Sequence, residues 1–242
     1  MTNASSTLTS SVNPISVQPT SNVSPIKGVL FDLDGTLADT APDLIQALNL
    51  SLNDFGFPKQ SISSMRSAAS HGSLALVNAA QPDLPSEQKT AIQKRLLTHY
   101  HHINGDNTEI FDGLDAVLSL LDSKNIPYGV VTNKAARFAR PLLDSLQLTQ
   151  RMRTIISGDS TFNAKPHTAP MWLAAQQMGC APHTILYLGD AERDLIAAQN
   201  ANMIGAVALW GYISQDDLPN NWPAKHYFEA GKCLEKWLAE QL

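Results

Sequence analysis

A doubly wound α/β fold, built on a mostly parallel sheet and carrying an inserted helical lobe, is predicted by this 242-residue sequence. Three observations predict it. Short apolar runs alternate with helical periodicities, acidic or hydroxyl residues stand where those runs end, and residues 42–109 carry helical patterns alone. A hydrophobic content of 43% supplies a core for a domain of ordinary size and excludes a wholly disordered chain.

The first 26 residues carry no charge, and residues 1–25 hold 11 Ser or Thr and three prolines, Pro14, Pro19 and Pro25. So little apolar surface cannot offset the entropy of ordering a chain, so residues 1–25 are expected to form a flexible tail. Gly28 to Phe31 then reads as a buried strand that ends in an acidic cluster. Residues 127–132, 153–157, 184–188 and 204–209 read the same way. Helices are predicted between them, over 113–124, 134–146, 168–178 and 191–201. Right-handed crossovers would bring the strands into one sheet, with its site at their C-terminal ends. The lobe is expected over 42–109, with helices at 43–55, 62–69, 74–80 and 87–102 separated by turn signals such as Gly56-Phe57-Pro58 and His71-Gly72. The core domain would then be 26–41 plus 110–242, the sheet resuming at Ile110 to Gly113.

Charge and cysteines narrow the function. A net charge of −5 and a pI near 5.7 leave no basic footprint for nucleic acid or an anionic membrane. No apolar run approaches the ~18 residues that span a bilayer, and a secretion signal is not legible at the start, so a cytoplasmic location is expected. Cys180 and Cys233 are too few for a disulfide framework and read as reduced thiols.

The chemistry begins at Asp32-Leu33-Asp34-Gly35-Thr36. Alternation along a strand sends Asp32 and Asp34 to one side, where two carboxylates repel and a divalent cation relieves them. Gly35 permits a tight turn, and Thr36 offers a hydroxyl or backbone N–H to an anion. A lone D-x-D is also a common solvated turn, but three later features support function. Thr132-Asn133-Lys134 places a hydroxyl and an amide beside a helix N-terminus, a natural phosphate contact. Lys165-Pro166 sets an ammonium in a loop. Gly189-Asp190 supplies another strand-end carboxylate, with Asp194 one helical turn on.

In that order, D-x-D-G-T, T-N, K-P and G-D-x-x-x-D resemble the four motifs of the haloacid dehalogenase-type phosphatases, over residues 27 to about 240. The resemblance implies Asp32 as nucleophile, Asp34 as general acid/base, and Thr132 and Lys165 as the groups holding the phosphoryl moiety. It implies Mg²⁺ bound by Asp32, Asp190 and the Asp34 backbone carbonyl, with Asp194 steadying the metal-bound water. Physics agrees with the roles: a carboxylate attacks a phosphate dianion only where fixed positive charge cancels their repulsion. An alkoxide leaving group needs an acid, which Asp34 provides and which dehalogenases of this superfamily lack. The insert's lysines, Lys59, Lys89 and Lys94, lie in no loop aimed at the site, which argues against the Schiff-base chemistry of phosphonate-cleaving relatives.

Substrate choice falls to the insert and the loops facing it. Ser70-His71-Gly72-Ser73 can bring His71, Gly72 and Ser73 to a ligand, or can be a plain turn with Ser73 as N-cap. Asn133, Lys134 and Arg137 follow the second motif, and Arg137 suits a substrate carboxylate. His99, His101 and His102 read as the polar end of a helix, since magnesium prefers oxygen. The segment Gly211-Tyr212-Ile213 through Trp222 resembles N-acetylmuramic acid 6-phosphate phosphatases, although Tyr212 and Trp222 serve equally well as packing aromatics. Ala191 and Leu74 depart from that pattern where hydroxyl or acidic and basic residues are expected. The sequence therefore predicts a phosphomonoesterase acting on a small phosphorylated substrate, either that sugar acid or 2-phosphoglycolate. A silent sugar-phosphate-binding member is the alternative of a different class, and a monomer or weak dimer is expected.

Overall fold

Residues 26–242 are described by a computed structural model, so the tail expected over 1–25 lies outside the described residues. Strand β1 (Gly28–Phe31) is fully buried and lies at the centre of a six-stranded parallel sheet. The others are β4 (Tyr128–Val131), β5 (Thr154–Ile156), β6 (Ile185–Gly189), β7 (Ile204–Ala208) and β8 (His226–Phe228), in the order β5-β4-β1-β6-β7-β8. Because the chain winds outward from β1 on both sides, β1 marks the point where a crevice opens at the strand ends. The expected strand from residue 127 starts one residue later: Pro127 has no N–H to give, and only its carbonyl joins, accepting from Val29.

Helices cover both faces. α5 (Leu114–Ser123), α6 (Ala136–Ser145) and α9 (Gly231–Gln241) pack on one face, with Leu118, Leu142 and Leu234 against Phe31 and Leu188. α7 (Ala169–Met178) and α8 (Glu192–Asn200) cover the other, where Met171 and Ala197 meet Leu30 and Tyr187. Each such fully buried Leu or Phe contributes about 1.5–3 kcal/mol over an exposed one. β8 and α9 carry no expectation from the sequence. The short run His226–Phe228 is too brief for a periodic signal, and only pairing with β7 defines it.

The helical stretch forms α1 (Ala41–Asp54), α2 (Ile62–Ala69), α3 (Ser73–Ala80) and α4 (Ser86–Ile103). Their own core joins Leu48, Leu52, Leu76, Ile92 and Leu96, with Phe138 and Tyr212 reaching in from outside the stretch. The sheet does not resume at Ile110. Instead β2 (Ala38–Asp39) and β3 (Glu109–Ile110) pair antiparallel as a separate ribbon where the chain leaves and re-enters the α/β core. Ser73 is also not an N-cap. Gly72 holds that position at φ 85°, and the Ser73 hydroxyl accepts from Gln93 Nε2 at 3.0 Å.

Candidate active site

The site is assembled at the C-terminal ends of β1, β4 and β6. Parallel pairing sets Phe31 beside Leu188 and Val130, so Asp32, Thr132 and Asp190 emerge together. Gly35, at φ 82°, turns the chain under Asp190, whose carboxylate leaves no room for a Cβ there.

Asp32, Asp190 and Asp194 are buried, and one oxygen from each lies within 4.8 Å of the others. Lys165 Nζ, with a fully buried side chain, meets Asp32 Oδ1 at 2.9 Å, Asp194 Oδ1 at 2.7 Å and the Tyr187 hydroxyl at 2.8 Å. Three acceptors use all three ammonium donors. Lys165 is therefore not among the residues that line the cavity above the triad, and its ammonium fixes Asp32. The Tyr187 phenol donates onward to the Val131 carbonyl, so the ammonium is held from behind.

One ammonium does not neutralise three carboxylates. Burial, followed by the Asp32 and Asp194 charges, pushes Asp190 up to about 7. Burial raises Asp194 as well, against the pull of Lys165. A dense, buried, all-oxygen donor set of this kind fits a hard divalent cation. His99, by contrast, is engaged with Asp54 at 2.7 Å and belongs to no such cluster among the described residues.

Asp34 follows a different logic. Its Oδ1 accepts from Thr40 Oγ1 at 2.6 Å and from Lys134 Nζ at 2.7 Å, so its carboxylate stands apart from the triad. Burial opposes the charge on Lys134, but Asp34 and Tyr100 outweigh it and raise its pKa above the ordinary lysine value. The ammonium also lies 4.6 Å from the Tyr100 ring centroid, a contact between the α/β core and α4.

Several expected anion contacts are spent on the protein itself. The Thr36 hydroxyl donates to Asp190 Oδ1 at 3.1 Å, and its N–H goes to Leu33 O. The Gly35 N–H bonds Ala38 O. Asn133 brackets the Lys165 peptide, donating from Nδ2 to its carbonyl and accepting its N–H on Oδ1. Buried partners nearby thus hold the Thr36 and Gly35 donors, whereas Asn133 keeps a second Nδ2 hydrogen and lines the cavity above the triad. Thr132 remains suited to an anion: its Oγ1 accepts from Lys134 N at 3.2 Å, which leaves the hydroxyl hydrogen to donate.

A cavity of about 430 Å³ opens over this floor. Asp32, Asp34, Thr132, Asn133 and Lys134 form its base, and Ser70, His71, Gly72 and Ser73 stand opposite, with Arg137 at the side. Arg193 is the lining residue that sequence reasoning missed. It donates to Ser70 O at 2.7 Å and ties the start of α8 to the α2–α3 turn. Its position immediately before Asp194 in the fourth motif was the available signal. Tyr187 had none, since a tyrosine within an apolar strand reads as core. Tyr212 is a packing and hydrogen-bonding residue rather than a ligand contact: its hydroxyl accepts from Ala41 N and donates to Asp39 Oδ1. Trp222 is buried against Leu195 and Val207.

Comparison with known proteins agrees with this geometry. The family model for haloacid dehalogenase-like hydrolases matches residues 29–208. A phosphoglycolate phosphatase of Xanthomonas campestris is 37% identical over 198 residues, which is 82% of this chain and 90% of the relative. An N-acetylmuramic acid 6-phosphate phosphatase of Pseudomonas putida is 34% identical over 218 residues, 88% of this chain and 98% of the relative. Among solved structures, that of a predicted phosphoglycolate phosphatase from Haemophilus somnus superposes with a TM-score of 0.77 at 23% identity, over 88% of this chain and 97% of its own. No helix among the described residues is long and apolar enough to cross a membrane. With the four motifs converging on one sheet edge, this chain belongs to the haloacid dehalogenase-like hydrolases and is a phosphoric monoester hydrolase.

Proposed function

We propose that this phosphatase acts on N-acetylmuramic acid 6-phosphate by way of an aspartyl phosphate on Asp32. The cavity carries the reading. At about 430 Å³, walled by both the α/β core and the helical lobe, it falls within the range of pockets that enclose a whole drug-sized ligand. A two-carbon phospho-acid would leave most of that space to water. The Pseudomonas putida relative is named for the sugar acid. The Xanthomonas relatives, named for phosphoglycolate, keep 2-phosphoglycolate as the second reading.

Each residue then has a task. The Leu33 N–H and Lys165 both engage Asp32 Oδ1, which leaves Oδ2 to attack phosphorus. Thr132 donates to a phosphoryl oxygen. Lys134 shifts from Asp34 to the incoming dianion, and Asp34, freed from the ion pair, takes up a proton as substrate binds and passes it to the departing sugar oxygen. In the second step Asp34 takes a proton from the water that hydrolyses the acyl phosphate. Arg137 serves the substrate carboxylate, with His71, Gly72 and Ser73 on the facing wall. Mg²⁺, held by Asp32, Asp190 and the Asp34 backbone carbonyl with Asp194 behind, would offset the charge of the dianion and the charge that develops in transfer.

The test is kcat/KM for the two substrates on one preparation, with Asp32→Asn as the blank. Preference for the sugar acid supports the proposal. Preference for 2-phosphoglycolate overturns the substrate and keeps the chemistry.

A further inference from the structure

A second cavity of about 430 Å³ adjoins the catalytic one, and Leu97, Arg137 and Phe138 form their common wall. One face of α4 sets its character. Lys94, Leu97, Thr98 and His101 follow one another at helical spacing and so share a side of the helix, with His102 adjoining. The side turned into the lobe instead carries Ile92, Leu96 and Tyr100, all buried. Arg95 and His99 project elsewhere and are both committed to Asp54, at 2.5 and 2.7 Å.

Nothing comparable engages the basic side chains at the second cavity. Among the described residues, Lys94, His101, His102 and Arg137 enter no ion pair with a carboxylate, and no acidic residue lines the cavity. The Arg137 guanidinium lies 4.8 Å from the Phe138 ring centroid, which sets it in the shared wall. The His101 and His102 rings meet edge to face at 5.5 Å between centroids.

Cations gathered around a concave surface with no anion among them focus positive potential and favour a charge-assisted hydrogen bond to an anion. We infer that this second cavity is a subsite for a carboxylate that the substrate carries at a distance from its phosphate. Lys94 and Arg137 are the charged contacts, and His101 and His102 are ring N–H donors. The inference rests on the proposed function, because a two-carbon phospho-acid holds its two anions too close together to occupy both cavities. A sugar phosphate bearing a lactyl ether carries them on separate ring positions. Contacts so far from the reacting phosphorus act alike on ground and transition states, so their effect falls on KM.

The test compares N-acetylmuramic acid 6-phosphate with N-acetylglucosamine 6-phosphate, which lacks the lactyl carboxylate. The native protein favours the former in kcat/KM by about tenfold or more, the scale of one charge-assisted contact. The variant Lys94→Gln/His101→Gln reduces that ratio by at least about fivefold through KM, whereas the conservative Lys94→Arg retains it. Thermal melts establish that the variants fold; should the double variant fail, single Lys94→Glu is read in the same way. A native ratio near one overturns the subsite, as does an undiminished ratio in the folded variant. A ratio that collapses in the variant, in a protein that nonetheless prefers 2-phosphoglycolate, overturns the proposed function and leaves the subsite standing.

Discussion

At the residue scale the site depends on which oxygen of each carboxylate is already occupied. Asp32 has Oδ1 pinned by Lys165 and the Leu33 N–H, which leaves Oδ2 for the attack proposed above. Asp32→Asn is expected to lower kcat on an aryl phosphate by about a thousandfold or more, measured against a mock purification. Asp34→Asn should divide substrates by leaving group: a loss of about 10²–10⁴-fold on an alkyl phosphate, with a much smaller loss on para-nitrophenyl phosphate. Equal losses on both would show that Asp34 is not the acid. Tyr187→Phe removes the hydroxyl that Lys165 donates to at 2.8 Å while preserving the ring. A lost hydrogen bond of roughly 1–1.5 kcal/mol predicts about a tenfold fall in kcat with KM nearly unchanged. Asp32, Asp34 and Asp190 were legible as a set in the sequence, because Asp32 and Asp190 directly follow β1 and β6 and Asp34 lies two residues beyond Asp32. The hydrogen bond of the Thr36 hydroxyl to Asp190 was not legible, because the pattern shows a donor but not the distant buried acceptor that it meets.

At the element scale, the connection between the helical lobe and the α/β core is fastened by carboxylates that catalysis does not use. Asp43, fully buried in the first turn of α1, accepts from the Gly105 and Asn107 backbone N–H groups, from Asn107 Nδ2 and from Thr108 Oγ1. It thus closes the returning strand of the connection onto the outgoing helix. Asp43→Ala leaves those donors unsatisfied and should cost about 3 kcal/mol, or roughly 6–12 °C in Tm by differential scanning calorimetry. A loss below about 1 kcal/mol would contradict this account. Arg66 binds Asp39 at 2.8 Å and lies over the Tyr212 ring, so α2 is fastened to the same junction. The helices themselves were readable from periodicity, within a residue or two at their ends. The ribbon of β2 and β3 was not, because two residues per strand carry no period and only the partner defines them.

At the scale of the whole molecule, the carboxylate triad couples stability to pH and to a divalent cation. With Asp190 raised from 3.8 to about 7, the metal-free folded state binds a proton that the unfolded chain releases near pH 4. Stability therefore falls as pH rises through that window. A cation bound to the ionised triad reverses the loss, so the gain in Tm on adding Mg²⁺ should grow from pH 5 to pH 8. A gain that is flat or shrinks over that range in a thermal-shift series would refute the triad as the binding site. The sequence by itself determined the parallel α/β class, the helical insertion and the four motif carboxylates and lysine, because local period and strand ends are written along the chain. Tertiary structure alone decided that Lys165 meets both Asp32 and Asp194, that Arg193 reaches the α2–α3 turn, and that Lys94 and Arg137 line one hollow. Those outcomes depend on which distant side chains compete for the same donor, and competition across space leaves no trace in sequence spacing.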